Sequence, residues 1–72
     1  MMAALRAWRL ERARADAVAP YVIAHDTTLA AIVERNPRSM TELARVPGIG
    51  PAKLDKYGGE ILEVMTRLTS AT

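Results

Sequence analysis

Val46-Pro47-Gly48-Ile49-Gly50-Pro51-Ala52-Lys53-Leu54 is the stretch on which the fold of this chain turns. Two glycines flank one aliphatic residue, a proline follows at once, and a lysine comes two positions later. Gly48 and Gly50 tolerate positive φ or close backbone approach because they carry no Cβ. Pro51 suits the first position of a helix, where a missing N–H is no loss. Ile49 is left as an apolar plug. The stretch predicts a tight corner between two helices, of helix-hairpin-helix type. Backbone amides at the start of the second helix, with Lys53 and Lys56 beside them, attract anions such as phosphate. A Gly-x-Gly corner serves packing alone just as readily.

Before the corner, Ser39-Met40-Thr41-Glu42 has the spacing of a capping box ahead of Leu43 and Val46, which predicts a short helix. Asp26 is the expected N-cap of the helix before that, with Leu29, Ile32 and Val33 as its core stripe and Asn36-Pro37 as its end. Residues 18–23 break the helical pattern at Pro20, with Ala19 pushed to extended geometry and Val22 and Ile23 as core plugs. Residues 3–17 predict a first helix, with Leu5, Trp8 and Ala13 on one face and Leu10 off it. Arg12 lies close to that stripe and pairs with Asp16 at i,i+4. After the corner, a short helix from Pro51 to Tyr57 is expected to stop at Gly58 as C′ residue. A last helix opens at Gly59-Glu60, with Ile61, Leu62, Met65 and Leu68 inward and Tyr57 packed between the final two helices. The sum is an all-α, compact orthogonal bundle of about five short helices, of SAM-like type. Residues 1–4 are expected to be an unstructured or added start, 5–68 the domain, and 69–72 a frayed tail.

Composition narrows the function. At 72 residues the chain holds at most one domain, and a domain this small buries only about 60% of its unfolded surface. It has no cysteine and one histidine, so neither a disulfide framework nor a thiolate zinc site is available. No apolar run reaches membrane-spanning length, and Arg6, Arg9, Arg12 and Arg14 stand where a secretion signal would be apolar. The net charge is +2 with pI near 9.5, and the basic excess lies in residues 1–38. No nucleophile triad, P-loop, paired metal carboxylates or dinucleotide fingerprint is visible, so catalysis is not expected. His25-Asp26 is better explained by N-capping than by acid–base chemistry, which needs a third group and a pocket. Trp8 is assigned to core packing with a partner for its indole N–H.

Several segments in order resemble the HRDC domain, the "helicase and RNase D C-terminal" module. They are Leu5-x-x-Trp8-Arg9, Pro20-Tyr21-Val22-Ile23, Asp26-x-Thr28-Leu29, and Gly48-Ile49-Gly50-x-x-Lys53-x-x-Lys56-Tyr57-Gly58-x-x-Ile61-Leu62. The resemblance spans Leu5 to Leu68. It implies a five-helix bundle without a catalytic centre, acting as an accessory nucleic-acid-binding module of a bacterial RecQ-like or UvrD-like DNA helicase. It implies a parent that uses ATP and Mg in DNA repair and recombination, in the bacterial cytoplasm at the nucleoid. Carried over by position, Tyr21 is a candidate for stacking on a base or sugar, and Asp26 for facing nucleic acid or a neighbouring domain. Lys53 and Lys56 are the basic positions after the corner formed by Gly48 and Gly50. Arg38 joins them as a phosphate contact. Arg12 replaces a frequent aliphatic residue, and Gly59 a polar helix former. Ala24-His25 replaces a Phe-Asn or Phe-Ser pair, which is expected to remove an apolar contact at the binding edge.

Two functions of different class follow. One is weak, largely sequence-independent binding of single-stranded or branched DNA by a monomeric domain beside its helicase core. The other is a protein-interaction or intramolecular docking module with little DNA affinity; an RNA-binding module of an RNase D-type nuclease is a third. A continuous positive face gathering Arg6, Arg9, Lys53 and Lys56 favours the first. Scattered charge with an exposed apolar patch near Leu10 favours the second.

Overall fold

The computed structural model describes residues 2–70, with side chains through Arg67. Its elements are α1 (Met2–Asp16), α2 (Pro20–Ile23), α3 (Asp26–Arg35), α4 (Met40–Ala44) and α5 (Pro51–Ser70), with no strand among the described residues.

The first helix starts at Met2, and both Met2 and Ala4 pack against the core. It stops at Asp16, one residue before the sequence-based end, because Ala17 turns left-handed at φ 56°. The Ala17 N–H then donates to Arg14 and the Val18 N–H to Ala13, at 3.2 and 3.0 Å. This pair of bonds is the Schellman closure, built here on alanine instead of glycine. Ala19 is extended, as its place before proline requires, and Pro20 opens α2. The expected turn is thus one turn of helix. Its register buries Ile23 but leaves Val22 47% exposed, which corrects the assignment of Val22 to the core.

The second surprise is at the start of α3. Asp26 is not the N-cap: His25 holds that position, its side chain makes no capping bond, and its carbonyl accepts from Thr28 and Leu29. The Asp26 carboxylate is turned instead to Arg9 on α1. Asn36, left-handed at φ 46°, ends α3. Ser39 caps α4 as expected, its Oγ accepting from the Glu42 N–H at 3.1 Å. The reciprocal bond is displaced by one residue, since Glu42 Oε1 accepts from the N–H of Arg38.

Residues 45–50 connect α4 to α5. Val46 and Ile49 are buried, and the Ile49 N–H donates to Val46. Gly48 has φ +92°, and a Cβ there would collide with the Thr28 hydroxyl on α3. Gly50 is different: nothing lies within 4 Å of where its Cβ would be, and its φ is not positive.

The expected break at Gly58 is absent, because Pro51–Ser70 is one helix. Gly58 serves a contact between helices. Its missing Cβ leaves room for Met40 on α4, whose Cε would be 2.8 Å away. Tyr57, Ile61, Val64 and Met65 form one continuous buried stripe across the glycines. Burial of that stripe outweighs the helix penalty of about 1 kcal/mol for each glycine. Tyr57 consequently packs onto α1 and not between two final helices. The expected inward Leu68 side chain, Met1 and residues 71–72 lie outside the described residues.

The core joins Leu5, Ile23, Leu29, Ile32, Leu43, Val46 and Ile61, all fully buried, so every helix contributes to it. Gly48→Ala is expected to cost at least about 2 kcal/mol, from positive φ plus the Thr28 collision, whereas Gly50→Ala changes stability by less than about 1 kcal/mol. Ala17→Gly, which relieves the left-handed alanine, raises Tm by about 2–6 °C. Thermal denaturation of the three variants checks both statements.

Candidate nucleic-acid interface

The loop from α2 to α3 is pinned from below. Ile23 and Ala24 are each 1% exposed, and the Ala24 carbonyl accepts from Arg9 Nη1 at 3.0 Å. Ala24 is therefore in the core and not at an outer edge, so its small size is a packing choice and removes no contact from a binding surface. With the loop held from inside, Tyr21 projects outward and is 63% exposed. Its ring lies 6.1 Å from that of His25, tilted by 32°. Arg9, Pro20, Tyr21, His25, Asp26 and Thr27 line an open cleft of about 480 Å³.

The sequence offers Arg9 as one member of a positive face, but the helical period signals an inward position for it. Leu5, Trp8, Arg9, Arg12, Ala13 and Asp16 follow i, i+3, i+4, i+7, i+8, i+11, which is one face of a helix. Arg9 thus faces inward, and its side chain is only 15% exposed. Its Nη1 meets Asp26 Oδ1 at 2.7 Å. Hydrogen bonding and the charge of Arg9 hold the Asp26 carboxyl below its usual pKa.

The predicted site residues divide by location. Tyr21 and Asp26 share the cleft. Gly48 joins the same end of the molecule through Thr28, in the first turn of α3, and Gly50 follows it at the open side of the corner. Lys53 is half-buried in the first turn of α5. Arg38 is elsewhere, past the far end of α3, where its backbone is tied to Glu42.

Lys56 is drawn to another cluster. Its Nζ lies 3.6 Å from Asp16 Oδ2 and 5.3 Å from the centre of the Tyr57 ring. Asp16 also accepts from Tyr57 Oη at 2.8 Å and from Arg12 Nη2 at 2.9 Å. Arg12 reaches Glu60 at 3.5 Å, and Glu60 accepts the Trp8 indole N–H at 3.0 Å. The Trp8 and Tyr57 rings meet edge to face, with centres 6.0 Å apart. The Tyr57 hydroxyl, then Arg12 and Lys56, hold the Asp16 carboxyl below its ordinary range. Arg12 is raised in turn by the Asp16 hydrogen bond. Arg9 and Lys56 each face a carboxylate, so Arg6, Arg9, Lys53 and Lys56 do not merge into one unpaired positive face. Leu10, Val18 and Val22 are exposed apolar residues of α1, the following turn and α2.

Among the described residues no helix is long and apolar enough to cross a membrane, and no group of three metal-ligating side chains is gathered.

A five-helix all-α bundle with a tight turn before α5 and a projecting tyrosine defines a class of small helical module. The profile of the HRDC domain matches residues 1–65, and the chain belongs to that family. It is 41% identical over 61 residues to the ATP-dependent DNA helicase UvrD2 of Mycobacterium tuberculosis and of Mycobacterium bovis, covering 85% of this chain. It is 42% identical over 50 residues, 69% of its length, to the ATP-dependent DNA helicase Q-like 4B of Arabidopsis thaliana. The chain spans only 9% and 4% of those proteins. The solved HRDC domain 3 of D. radiodurans RecQ superposes with TM-score 0.92 at 34% identity, over 94% of this chain and 90% of that one.

Because Asp16 is ionised more easily in the folded state, its contribution to stability is complete above the unfolded carboxylate pKa of about 4. It is lost as pH falls through the lower folded value. Asp16→Asn is accordingly expected to lower Tm by several degrees at pH 7 and to flatten the fall of Tm between about pH 5 and 2. Thermal melts across that range read both effects, and parallel acid limbs for the two proteins would exclude this role for Asp16.

Proposed function

We propose that this chain is an accessory nucleic-acid-binding domain of a DNA helicase. It binds single-stranded or branched DNA weakly and with little regard to sequence, and so tunes which structures the parent engages. The exposed Tyr21 in a cleft also lined by an arginine is the observation that carries this reading. An aromatic face accepts any base, and stacking contributes about 1–3 kcal/mol per base. Gly48, which lies against Thr28 in the first turn of α3, and beyond it Gly50 and Lys53 are the proposed continuation of that surface for the phosphates of a strand stacked on Tyr21. Lys56 and Arg38 contribute less, the first through its competing carboxylate and the second through distance.

Membership of a family found in helicases supports a parent that hydrolyses ATP with Mg outside this domain. In that setting the domain is a monomer packed near a helicase core in a bacterial cytoplasm, at the nucleoid, and works in DNA repair or recombination. A docking role with little DNA affinity is the second reading. It is favoured by the paired state of Arg9 and Lys56 and by exposed Leu10, Val18 and Val22.

Fluorescence anisotropy of a labelled oligodeoxythymidylate at about 50 and 200 mM salt separates the two. The DNA reading expects affinity that falls with salt, with a slope of about 0.7 per phosphate contact. Tyr21→Ala is expected to weaken binding by about tenfold or more at either salt. Lys53→Ala lowers the slope by about one contact, and Lys56→Ala lowers it less. A folded domain that binds no DNA at high protein concentration would transfer the assignment to docking.

A further inference from the structure

We infer that Arg9 is the phosphate seat of the Tyr21 cleft and that Asp26 is an internal stand-in for the phosphate, displaced when a strand binds. The inference rests on the nucleic-acid reading above and assigns opposite roles to two residues of one ion pair. Asp26, taken by position alone, would be a ligand of nucleic acid. Here it is a competitor.

Burial decides which partner moves. The Arg9 side chain is 15% exposed and anchored by its bond to the Ala24 carbonyl, while the Asp26 side chain is 65% exposed. Asp26 can rotate into water without uncovering the core, whereas Arg9 cannot leave without abandoning a core backbone carbonyl. The fixed cation of the cleft is therefore exchanged between two anions. A phosphodiester carries the same charge as the carboxylate and presents oxygens that suit a guanidinium edge. Arg9 Nε is buried with no acceptor, as is Arg12 Nε, so the pair with Asp26 leaves part of the Arg9 guanidinium unsatisfied. Tyr21 and Arg9 line the same cleft, so a nucleotide can place its base on the ring and its phosphate on the arginine. Asp26 lies below its ordinary pKa and remains a full negative charge at neutral pH, which keeps the competition in force.

Such a pair limits affinity. Exposed ion pairs are weak, so removal of Asp26 as a competitor is expected to tighten DNA binding by about 3- to 5-fold. General electrostatics would also reward the loss of a carboxylate, and the test must exclude this. Glu34, exposed at the other end of α3, serves as the control.

Oligodeoxythymidylate anisotropy is measured for the wild-type chain, Asp26→Asn, Glu34→Gln, Arg9→Gln and Arg9→Gln/Asp26→Asn. The expected result is a gain for Asp26→Asn, none for Glu34→Gln, and no gain from Asp26→Asn once Arg9 is glutamine. A gain that persists without Arg9, or that Glu34→Gln equals, overturns the inference. Binding that Tyr21→Ala weakens but Asp26→Asn leaves unchanged or reduces overturns it too, and leaves the DNA reading intact. Absence of binding by both wild type and Asp26→Asn overturns both. Should Arg9→Gln fail to fold, the wild-type chain decides through NMR of the Arg9 Nε–Hε and Asp26 carboxyl resonances during titration with the oligonucleotide. Both are expected to move together along the binding curve, and stationary resonances at saturation overturn the inference.

Discussion

Two arginines on the buried face of α1 are the constraint around which this small bundle is arranged. Arg9 and Arg12 fall on the stripe that also carries Leu5 and Ala13, so the helix cannot bury its apolar face without bringing two cations part of the way in. A cation withdrawn from water needs an anion and good hydrogen bonds. The fold meets this with one carboxylate from α3 and a network from α1 and α5. Arg9 Nη1 meets Asp26 and the Ala24 carbonyl. Arg12 lies between Asp16 and Glu60, and the same carboxylates hold the Tyr57 hydroxyl and the Trp8 indole. These contacts fix α1 to both α3 and α5, the elements that end at the two halves of the proposed binding surface.

That arrangement ties up Arg9, Arg12 and Lys56 in ion pairs within the bundle. The domain carries a mild positive excess, yet Arg9 and Arg12, the cations turned inward on α1, both meet carboxylates. What stays open is the Tyr21 ring, the polar turn at His25 to Thr27, and the corner from Gly48 onward. Under the proposed DNA reading, such a surface neutralises only a few phosphates at once, which corresponds to weak, salt-sensitive binding. An accessory domain with that property contributes through its tether to a larger enzyme, where effective concentration substitutes for intrinsic affinity.

The glycines show how one residue type answers different needs. Gly48 alone has positive φ and lies against Thr28, so it joins the α4–α5 corner to the start of α3. Gly58 is an ordinary helical residue whose missing side chain admits Met40. The Gly58-Gly59 pair looks locally like a helix end. It is overruled by a continuous buried stripe on both sides and by the absence of a following proline.

The helices Met2–Asp16, Asp26–Arg35 and Met40–Ala44 and the core positions Leu5, Ala13, Ile23, Leu29, Ile32, Leu43, Val46, Ile49, Ile61 and Met65 were legible from periodicity, prolines and caps, because these are local properties of the chain. So was the Ser39 cap. The tertiary structure decided everything that depends on which face meets which. It turned Asp26 from a cap into the partner of Arg9 and Lys56 toward Asp16, and it left Arg38 at the far end of α3. It placed Ala24 in the core and merged two expected helices into one. Charge pairing and close approach act through space between residues far apart in sequence. A periodic pattern reveals that Arg9 faces inward, but only the packed bundle supplies the carboxylate that it meets.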